Sequence, residues 1–351
     1  MRGQKDDTSK PASGGKPKIS WLIFFGVFVL VCILVVYYFS DIKKEFILLE
    51  EVNPYWLVVA VSGQLSTYII SASIYLFLLK ASNPETFLPK LRSLARASVI
   101  ALFFNQTMPS AGVSGNAFLF NFMARFNIPR DKIILIILAE LLIFYAAMEA
   151  IIITLLTSCM FFYKSSSAIK TTLGAGMAVY LVFGIVIMLT GRNNWVDRLL
   201  NKMGDSRLLR KVMKNVTNQN AGLSYLGNDS KIISLLKNNK AMVWKAFSFQ
   251  VLVVMSDAIT LYALFLGSGY PISPFLVFVV LICAKIISIL PFLPGALVLY
   301  ESSMSFFFVS SGVPAGIAII VTLMYRLLSF WLPIPLGTIL YKKWLKDKTS
   351  E

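Results

Sequence analysis

An uncharged apolar run near the start of the chain restricts the possible folds more than any other feature. Residues 19–40, "ISWLIFFGVFVLVCILVVYYFS", contain no Asp, Glu, Lys or Arg, and the run exceeds the roughly 18 residues that indicate a membrane-spanning helix. Across the whole chain 57% of residues are hydrophobic and 14% are charged, whereas soluble domains carry about 25% charged residues. The run is longer than the core of a signal peptide, so we expect a membrane protein that retains it as its first span.

Further apolar runs predict an all-α polytopic membrane protein with about six full spans. After the first span, the others are expected at about 55–79, 131–163, 171–190, 242–266 and 314–341. Two more apolar segments, 94–127 and 272–312, are interrupted by proline, glycine and small polar residues. A chain that turns inside a bilayer leaves backbone groups unpaired unless protein or a water-filled cavity covers them. We therefore predict two re-entrant or broken helical hairpins.

The two interrupted segments share a pattern, "MPSAGVSGNAFLFNFMARFNIP" and "LPGALVLYESSMSFFFVSSGVP". Both 109–129 and 294–314 begin and end on proline, and Asn116 of the first stands where Glu301 stands in the second. Three predicted spans separate the hairpins, so they would open to opposite sides of the membrane. This predicts an inverted repeat, an architecture of transporters that bind substrate near the bilayer midplane. Chance is the alternative, since proline is frequent in spans.

The net charge of +16 gathers beside the spans, which favours cytoplasmic loops over nucleic-acid binding. Residues 191–245 hold eleven Lys and Arg against three Asp, with apolar residues at helical spacing. They predict an amphipathic helix on anionic inner-leaflet lipids, or alternatively a solvated cytoplasmic helix packed on the protein. Residues 1–18 are expected to be a disordered cytoplasmic tail, residues 19–345 one membrane domain, and the C-terminus cytoplasmic.

Six ionisable side chains fall within hydrophobic segments, where each costs a few kcal/mol unless it is paired or hydrated. We expect Lys285 and Glu301 to pair across the second hairpin, and Glu140 is one candidate partner for Arg326. A lined polar cavity would explain the set together, whereas structural ion pairs between packed helices are the alternative. The six are Glu140, Glu149, Asp257, Lys285, Glu301 and Arg326.

The two hairpins and the span after each carry a resemblance. The segments "MPSAGVSGN", "MARFNIP", "ILPFLPGALVLYESSMSFFFVSSGVP" and "MYRLLSFWLPIPLG" resemble the lysylphosphatidylglycerol synthase transmembrane, flippase-like family. In bacterial members this domain is similar to the part that moves aminoacylated phosphatidylglycerol between leaflets, followed by a synthetase domain. Some archaeal relatives join it to a glycosyltransferase that acts on a polyprenyl or dolichyl phosphate.

Individual motif positions carry this resemblance. Pro294, Gly295 and Glu301 fit the family pattern P-G-G-x-G-x-x-E, although alanine and valine replace two of its glycines. Arg326 fits the arginine of the last span. In the first hairpin "GN" at 115–116 fits a glycine–acid pattern loosely, and leucine stands where an arginine is expected. These departures bear on head-group specificity more than on the fold.

The leading hypothesis is a lipid flippase or lipid-binding transporter for a phosphate-bearing lipid, such as an aminoacylated or polyprenyl-phosphate lipid. Lys285, Arg326 and the N-termini of the two hairpin helices, which attract anions, would hold the head group, with Glu301 and Glu140 receiving any amino group. The alternatives are a membrane partner for a separate glycosyltransferase or lipid aminoacyltransferase, and an integral-membrane enzyme. No cofactor, metal or catalytic residue is expected; the chain has no histidine. The predicted substrate-binding residues are Asn105, Gln106, Ser110, Gly112, Ser114, Gly115, Asn116, Glu140, Lys285, Pro294, Gly295, Glu301 and Arg326.

Overall fold

A computed structural model describes residues 52–82, 88–108, 113–161, 166–190, 238–289 and 298–349. The predicted tail, the first span at 19–40 and the basic stretch 191–237 lie outside these residues. Throughout the described part the chain is helical and contains no strand. Its helices are α1 Pro54–Ser82, α2 Leu91–Thr107, α3 Val113–Ala124, α4 Arg130–Phe161, α5 Ser167–Thr190, α6 Lys240–Gly267, α7 Pro274–Ile287, α8 Leu299–Ser310, α9 Ala315–Arg326 and α10 Pro333–Thr349.

Five stretches of helix in the described residues are long and apolar enough to cross a membrane. They are Pro54–Ser82, Lys132–Phe161, Ser167–Ile187, Lys240–Gly267 and Ala315–Lys346, the last comprising α9, a π-helical turn and most of α10. Each matches one of the sequence-predicted spans, so the all-α polytopic membrane fold is confirmed. The predicted span at 19–40 lies outside the described residues.

Helices α1 and α6 pack closely along their length, and small residues make this approach possible. The Ser256 hydroxyl of α6 donates a hydrogen bond to the Gly63 carbonyl of α1 at 2.7 Å, and the Thr260 hydroxyl lies 3.3 Å from the Ala60 carbonyl. A Cβ atom on Gly63 would lie 2.6 Å from Thr260 Oγ1. Small residues that admit a neighbouring backbone, with hydroxyl groups across the contact, are typical of helix pairs in membranes.

The first interrupted segment forms a helical hairpin, as the sequence predicts. The rings of Phe104 on α2 and Phe118 on α3 lie 5.6 Å apart. A Cβ atom on Gly115 would lie 2.5 Å from the Ala101 carbonyl oxygen and 2.6 Å from the Asn105 side-chain amide. Ser114 contacts the Phe104 carbonyl near the end of α2, whereas Phe122 lines a cavity with Ser93 near the start of α2, so α3 runs back along α2.

Gly115→Ala should destabilise the protein because its methyl group would overlap the α2 backbone. Overpacking of this kind costs about 1–3 kcal/mol, and a backbone atom yields less than a flexible side chain. The matched control is Gly174→Ala on α5, where an added Cβ meets nothing within 4 Å and helix propensity favours alanine by up to about 1 kcal/mol. We expect a lower unfolding temperature for the first variant only, measured by dye labelling of the buried Cys159 and Cys283 thiols. Equal unfolding temperatures would contradict the close α2–α3 contact.

The second interrupted segment has the same plan, with α7 packed against α8. Helices α3 and α8 each contain 12 residues. A helix of this length is about 18 Å long at 1.5 Å per residue, well short of the roughly 30 Å of a hydrocarbon core. Neither helix is long enough to cross a bilayer, which agrees with re-entrant hairpins. The inverted relation between the two hairpins stays a prediction.

The last span is interrupted near its middle by a five-residue π-helical turn, Leu327–Trp331. Pro333 explains it, because proline has no N–H and its ring clashes with the carbonyl four residues earlier, here that of Ser329. The Leu332 N–H donates to the Leu327 carbonyl at 2.9 Å, five residues back. The helix therefore widens by one residue and leaves the Ser329 carbonyl without its usual intrahelical donor.

Buried apolar side chains form two clusters. One surrounds α6, α7 and α8 and includes Phe265 and Phe308, whose rings meet edge to face at 4.7 Å. The other joins α2 and α3 to the first turns of α4 and includes Leu94, Met123 and Ile133. Each cluster thus contains one hairpin, and helix α1 contributes residues to both.

Candidate functional site

A buried ion pair connects the second hairpin to the last span. The Arg326 Nε donates to Glu301 Oε1 at 2.6 Å, and the two side chains are only 8% and 19% exposed. Arg326 ends α9, and Glu301 is the third residue of α8, the first helix after residues 290–297, which lie outside the described part. Arg326 lies about 17 Å along the last span at 1.5 Å per residue, so the pair sits near the middle of the hydrocarbon region.

Two aromatic rings hold the arginine in place. Its guanidinium carbon lies 4.6 Å from the ring centre of Tyr300 and 4.6 Å from that of Phe330. Tyr300 is also stacked on Tyr325, with ring centres 6.3 Å apart. Cation–π contacts gain strength when the cation is removed from water. The guanidinium plane is therefore fixed by aromatic faces as well as by the carboxylate.

The first hairpin reaches the same turn of the last span. The side-chain amide of Gln106, at the end of α2, donates to the Ser329 carbonyl at 3.0 Å. This is the carbonyl that Pro333 leaves free. Ser329 lies three residues after Arg326, and residues at this spacing share one helix face. The end of α2 and the start of α8 therefore contact the last span within one helical turn of each other. The approach of the hairpin tips themselves stays a prediction.

Polar atoms around this turn are buried and lack hydrogen-bond partners among the described residues. They are Glu301 Oε2, Gln106 Oε1, Thr322 Oγ1 and Ser329 Oγ. Buried polar atoms in folded proteins are nearly always hydrogen-bonded, so a concentration of them calls for an explanation. Together with the ion pair they form a polar cluster contributed by both hairpins and the last span. We call it the arginine cluster.

The expected pairing of Lys285 with Glu301 is wrong. Lys285 Nζ lies 2.8 Å from Asp257 Oδ2, which joins α7 to α6, whereas Glu301 is paired with Arg326. Helix α7 packs against both α6, which carries Asp257, and α8, which carries Glu301. The side of α7 from which Lys285 projects therefore decides its partner. Lys285 therefore lies on the helix that packs against α8, but its ion pair is with α6 and not with the arginine cluster.

Glu140 is not the partner of Arg326 that the sequence suggested. It lies on α4, where the Tyr75 hydroxyl of α1 is placed to hydrogen-bond with it. Arg326 finds its carboxylate on α8 instead, because the two helices that flank the turn at residues 311–314 pack together. The role of Glu140 in binding an amino group stays a prediction.

Three predicted residues of the first hairpin support its own geometry. The Asn105 side-chain oxygen accepts the Gly115 N–H at 2.8 Å, and the Ser114 hydroxyl donates to the Phe104 carbonyl at 3.0 Å. The start of α3 is thus capped by a side chain of α2, which satisfies one of the N–H groups expected to attract an anion. Asn116 is half-buried on α3. Four further predicted residues, Ser110, Gly112, Pro294 and Gly295, lie outside the described residues.

Sequence reasoning missed the aromatic and hydroxyl members of the arginine cluster. Tyr300 and Phe330 carry no motif that separates them from the many other aromatic residues of the chain. Ser329 did carry a signal, because a proline four residues later predicts a free carbonyl at that position. Thr322 precedes Arg326 by one helical turn, a spacing that places both on one face.

The chain matches the family model described as the lysylphosphatidylglycerol synthase transmembrane region over residues 14–337. It is 33% identical over 93 residues to a UPF0104 membrane protein of Methanothermobacter thermautotrophicus, 26% of this chain and 28% of that protein. A UPF0104 membrane protein of Pyrococcus horikoshii is 33% identical over 88 residues, 25% and 26% of the two chains. The aligned segments span less than a third of the length of these relatives.

Proposed function

We propose that this chain, which belongs to the family of lysylphosphatidylglycerol synthase transmembrane regions, binds a phosphate-bearing lipid and moves it between leaflets. The arginine cluster carries the proposal, because it combines a buried ion pair with polar atoms that have no partner among the described residues, where the end of α2 and the start of α8 contact the last span. Arginine recognises phosphate through the planar fork of its guanidinium, which Lys does not reproduce. Intramembrane ionisable residues of this kind usually mark a substrate path.

The charges of the cluster favour a head group that carries both phosphate and an amino group. Arg326 and Glu301 sum to zero, so an anionic lipid phosphate alone would add an uncompensated buried charge. A primary ammonium beside the phosphate removes this imbalance, with the phosphate on Arg326 and the ammonium on Glu301, whose Oε2 has no partner among the described residues. A phospholipid aminoacylated with a neutral amino acid satisfies this requirement, because its phosphate carries one negative charge and its α-ammonium one positive charge.

A liposome assay with a lipid panel tests the proposed function. The purified full chain is reconstituted with acyl-chain-labelled lipids, and dithionite bleaching reports the fraction that changes leaflet. We expect the fastest movement for alanyl-phosphatidylglycerol, slower movement for phosphatidylglycerol, and none above protein-free vesicles for a labelled monohexosyl diacylglycerol, whose polar head group lacks phosphate. Equal rates for all three lipids would contradict a head-group site.

A membrane partner for a separate transferase is the second candidate function. The family description names the transmembrane region of a synthase, which favours an association with a lipid aminoacyltransferase or a glycosyltransferase. A chain of this kind would leave all panel lipids in place when reconstituted alone and would move or modify lipid only with the transferase present. The liposome panel, run with and without that enzyme, separates the two functions.

The proposed orientation places the N-terminus, residues 191–245 and the C-terminus in the cytoplasm of a cell membrane. The Lys and Arg distribution supports it. A Cys at position 220, introduced as Asn220→Cys in a chain with its native cysteines replaced, should be protected from a membrane-impermeant maleimide in whole cells and labelled after lysis. Labelling in intact cells would overturn the orientation and the inverted-repeat prediction that depends on it.

A further inference from the structure

A small cavity opens between α2, α3 and α10, at the opposite end of α2 from the arginine cluster. Its volume is about 90 Å³, several times the roughly 10–15 Å³ that one water molecule needs. It is therefore large enough for a group of several heavy atoms. The lining includes Ser93, Arg96, Ile100, Phe122, Lys343 and Trp344.

The lining divides into a cationic mouth and an apolar floor. Arg96 of α2 and Lys343 of α10 are both exposed, and the Ser93 hydroxyl lies one turn before Arg96 on the same helix face. Phe122 on α3 and Ile100 on α2 are buried and close the floor. No acid occurs among the eight residues that line the cavity, so nothing in the lining neutralises the two cations.

Aromatic contacts hold the wall of the cavity in position. The Arg125 guanidinium lies 3.9 Å from the ring centre of Trp344. The same indole meets Phe118 at 5.2 Å and is stacked on Tyr341 at 5.7 Å. A wall built from contacts of four side chains is preformed, which lowers the entropy lost when a ligand binds.

We propose that this cavity is a binding site for the phosphate group of an anionic membrane lipid, separate from the arginine cluster. Arg96, Lys343 and the Ser93 hydroxyl would bind the phosphate, and the lipid chains would lie against the apolar surface that continues from Ile100. Basic pockets between membrane helices bind lipid head groups in this way. A soluble phosphate compound carries the same charged group but has no acyl chains that could contact the apolar floor.

Close packing separates the cavity from the arginine cluster. Gly337 of α10 fits directly against the Phe103 side chain of α2, and Phe104 meets Tyr341 edge to face at 5.1 Å. Arg96 and Gln106 are ten residues apart on α2, which is about 15 Å at 1.5 Å per residue. A lipid phosphate in the cavity and one at the cluster therefore occupy different places, and the cavity does not depend on the proposed transport.

Native mass spectrometry of the full chain tests the site, with phosphatidylglycerol as the titrated lipid. The double variant R96Q/K343Q removes both cavity cations. The matched control R92Q/K342Q removes two exposed cations from the same two helices that do not line the cavity. We expect the dissociation constant of the tightest phosphatidylglycerol to rise about ten-fold or more in the cavity variant, because both cationic side chains that would contact the phosphate lose their charge. It should change less than about two-fold in the control.

Three further results decide between explanations. Equal weakening in both double variants would mean diffuse attraction to basic helix ends and would overturn the site. Binding of sn-glycerol 3-phosphate as tight as that of phosphatidylglycerol would overturn the lipid assignment in favour of a soluble phosphate compound. The R326K variant should still bind phosphatidylglycerol tightly even where it stops transport. Loss of this tight binding in R326K would mean that the arginine cluster, and not the cavity, holds that lipid. The single variant K343Q repeats the comparison if the double variant does not fold.

Discussion

Arg326→Lys is expected to abolish lipid movement in the liposome assay while the protein stays folded. Lysine keeps the positive charge beside Glu301, so the buried carboxylate remains paired. It loses the planar fork that binds phosphate through two hydrogen bonds and the flat face that lies 4.6 Å from both Tyr300 and Phe330. The control is Lys342→Gln at the exposed end of α10, which should leave transport unchanged.

A charge-free pair of substitutions separates a transport role of Arg326 from a structural one. Arg326→Met alone leaves Glu301 buried and unpaired, which costs about 3–5 kcal/mol, so the unfolding temperature should fall. Adding Glu301→Gln removes the remaining charge and should restore stability, because a neutral pair of similar volume packs about as well as a buried ion pair. Transport should remain absent in the double variant. Recovery of transport with recovery of stability would show that the pair only holds α8 against α9.

The positions of the spans followed from the sequence because they depend on a local property. Long apolar runs such as residues 171–190, which contain no charged residue, indicate where the chain can cross a bilayer. Glu301 and Arg326 were singled out in the sequence because each is an ionisable residue within a hydrophobic segment, and the structure pairs them with each other. Orientation in the membrane is a different matter, because it depends on charges in loops, among them residues 191–237, which lie outside the described part.

The partners of the buried charges did not follow, because depth along a helix does not determine which side of it a residue faces. Lys285 and Glu301 were expected to pair from similar depth, yet Lys285 faces Asp257, 28 residues earlier on α6. Gln106 and Ser329 are 223 residues apart. Pro333 is a sequence signal for the free carbonyl at Ser329, but only the packing of α2 against the last span supplies its donor.

Asp257→Asn is expected to lower the stability of the protein by about 3 kcal/mol, the largest loss that we expect from a single isosteric change. It removes the only negative charge in the pair and leaves the Lys285 ammonium without its carboxylate partner. Breaking a buried pair costs about 3–5 kcal/mol, and the lower end applies because the Lys285 side chain keeps 27% exposure. The unfolding temperature, read from labelling of Cys159 and Cys283, measures the loss.

The double variant D257N/K285M then tests whether Lys285 belongs to the head-group site. Removing both charges should restore most of the stability that Asp257→Asn takes away, since neither charge is then left buried alone. Lipid movement should nevertheless stay impaired if Lys285 belongs to the site, because Lys285 lies near the end of α7, which packs against α8, and its cation would no longer help Arg326 to attract a phosphate. Full transport by the stable double variant would remove Lys285 from the site and leave the pair as a clamp between α6 and α7.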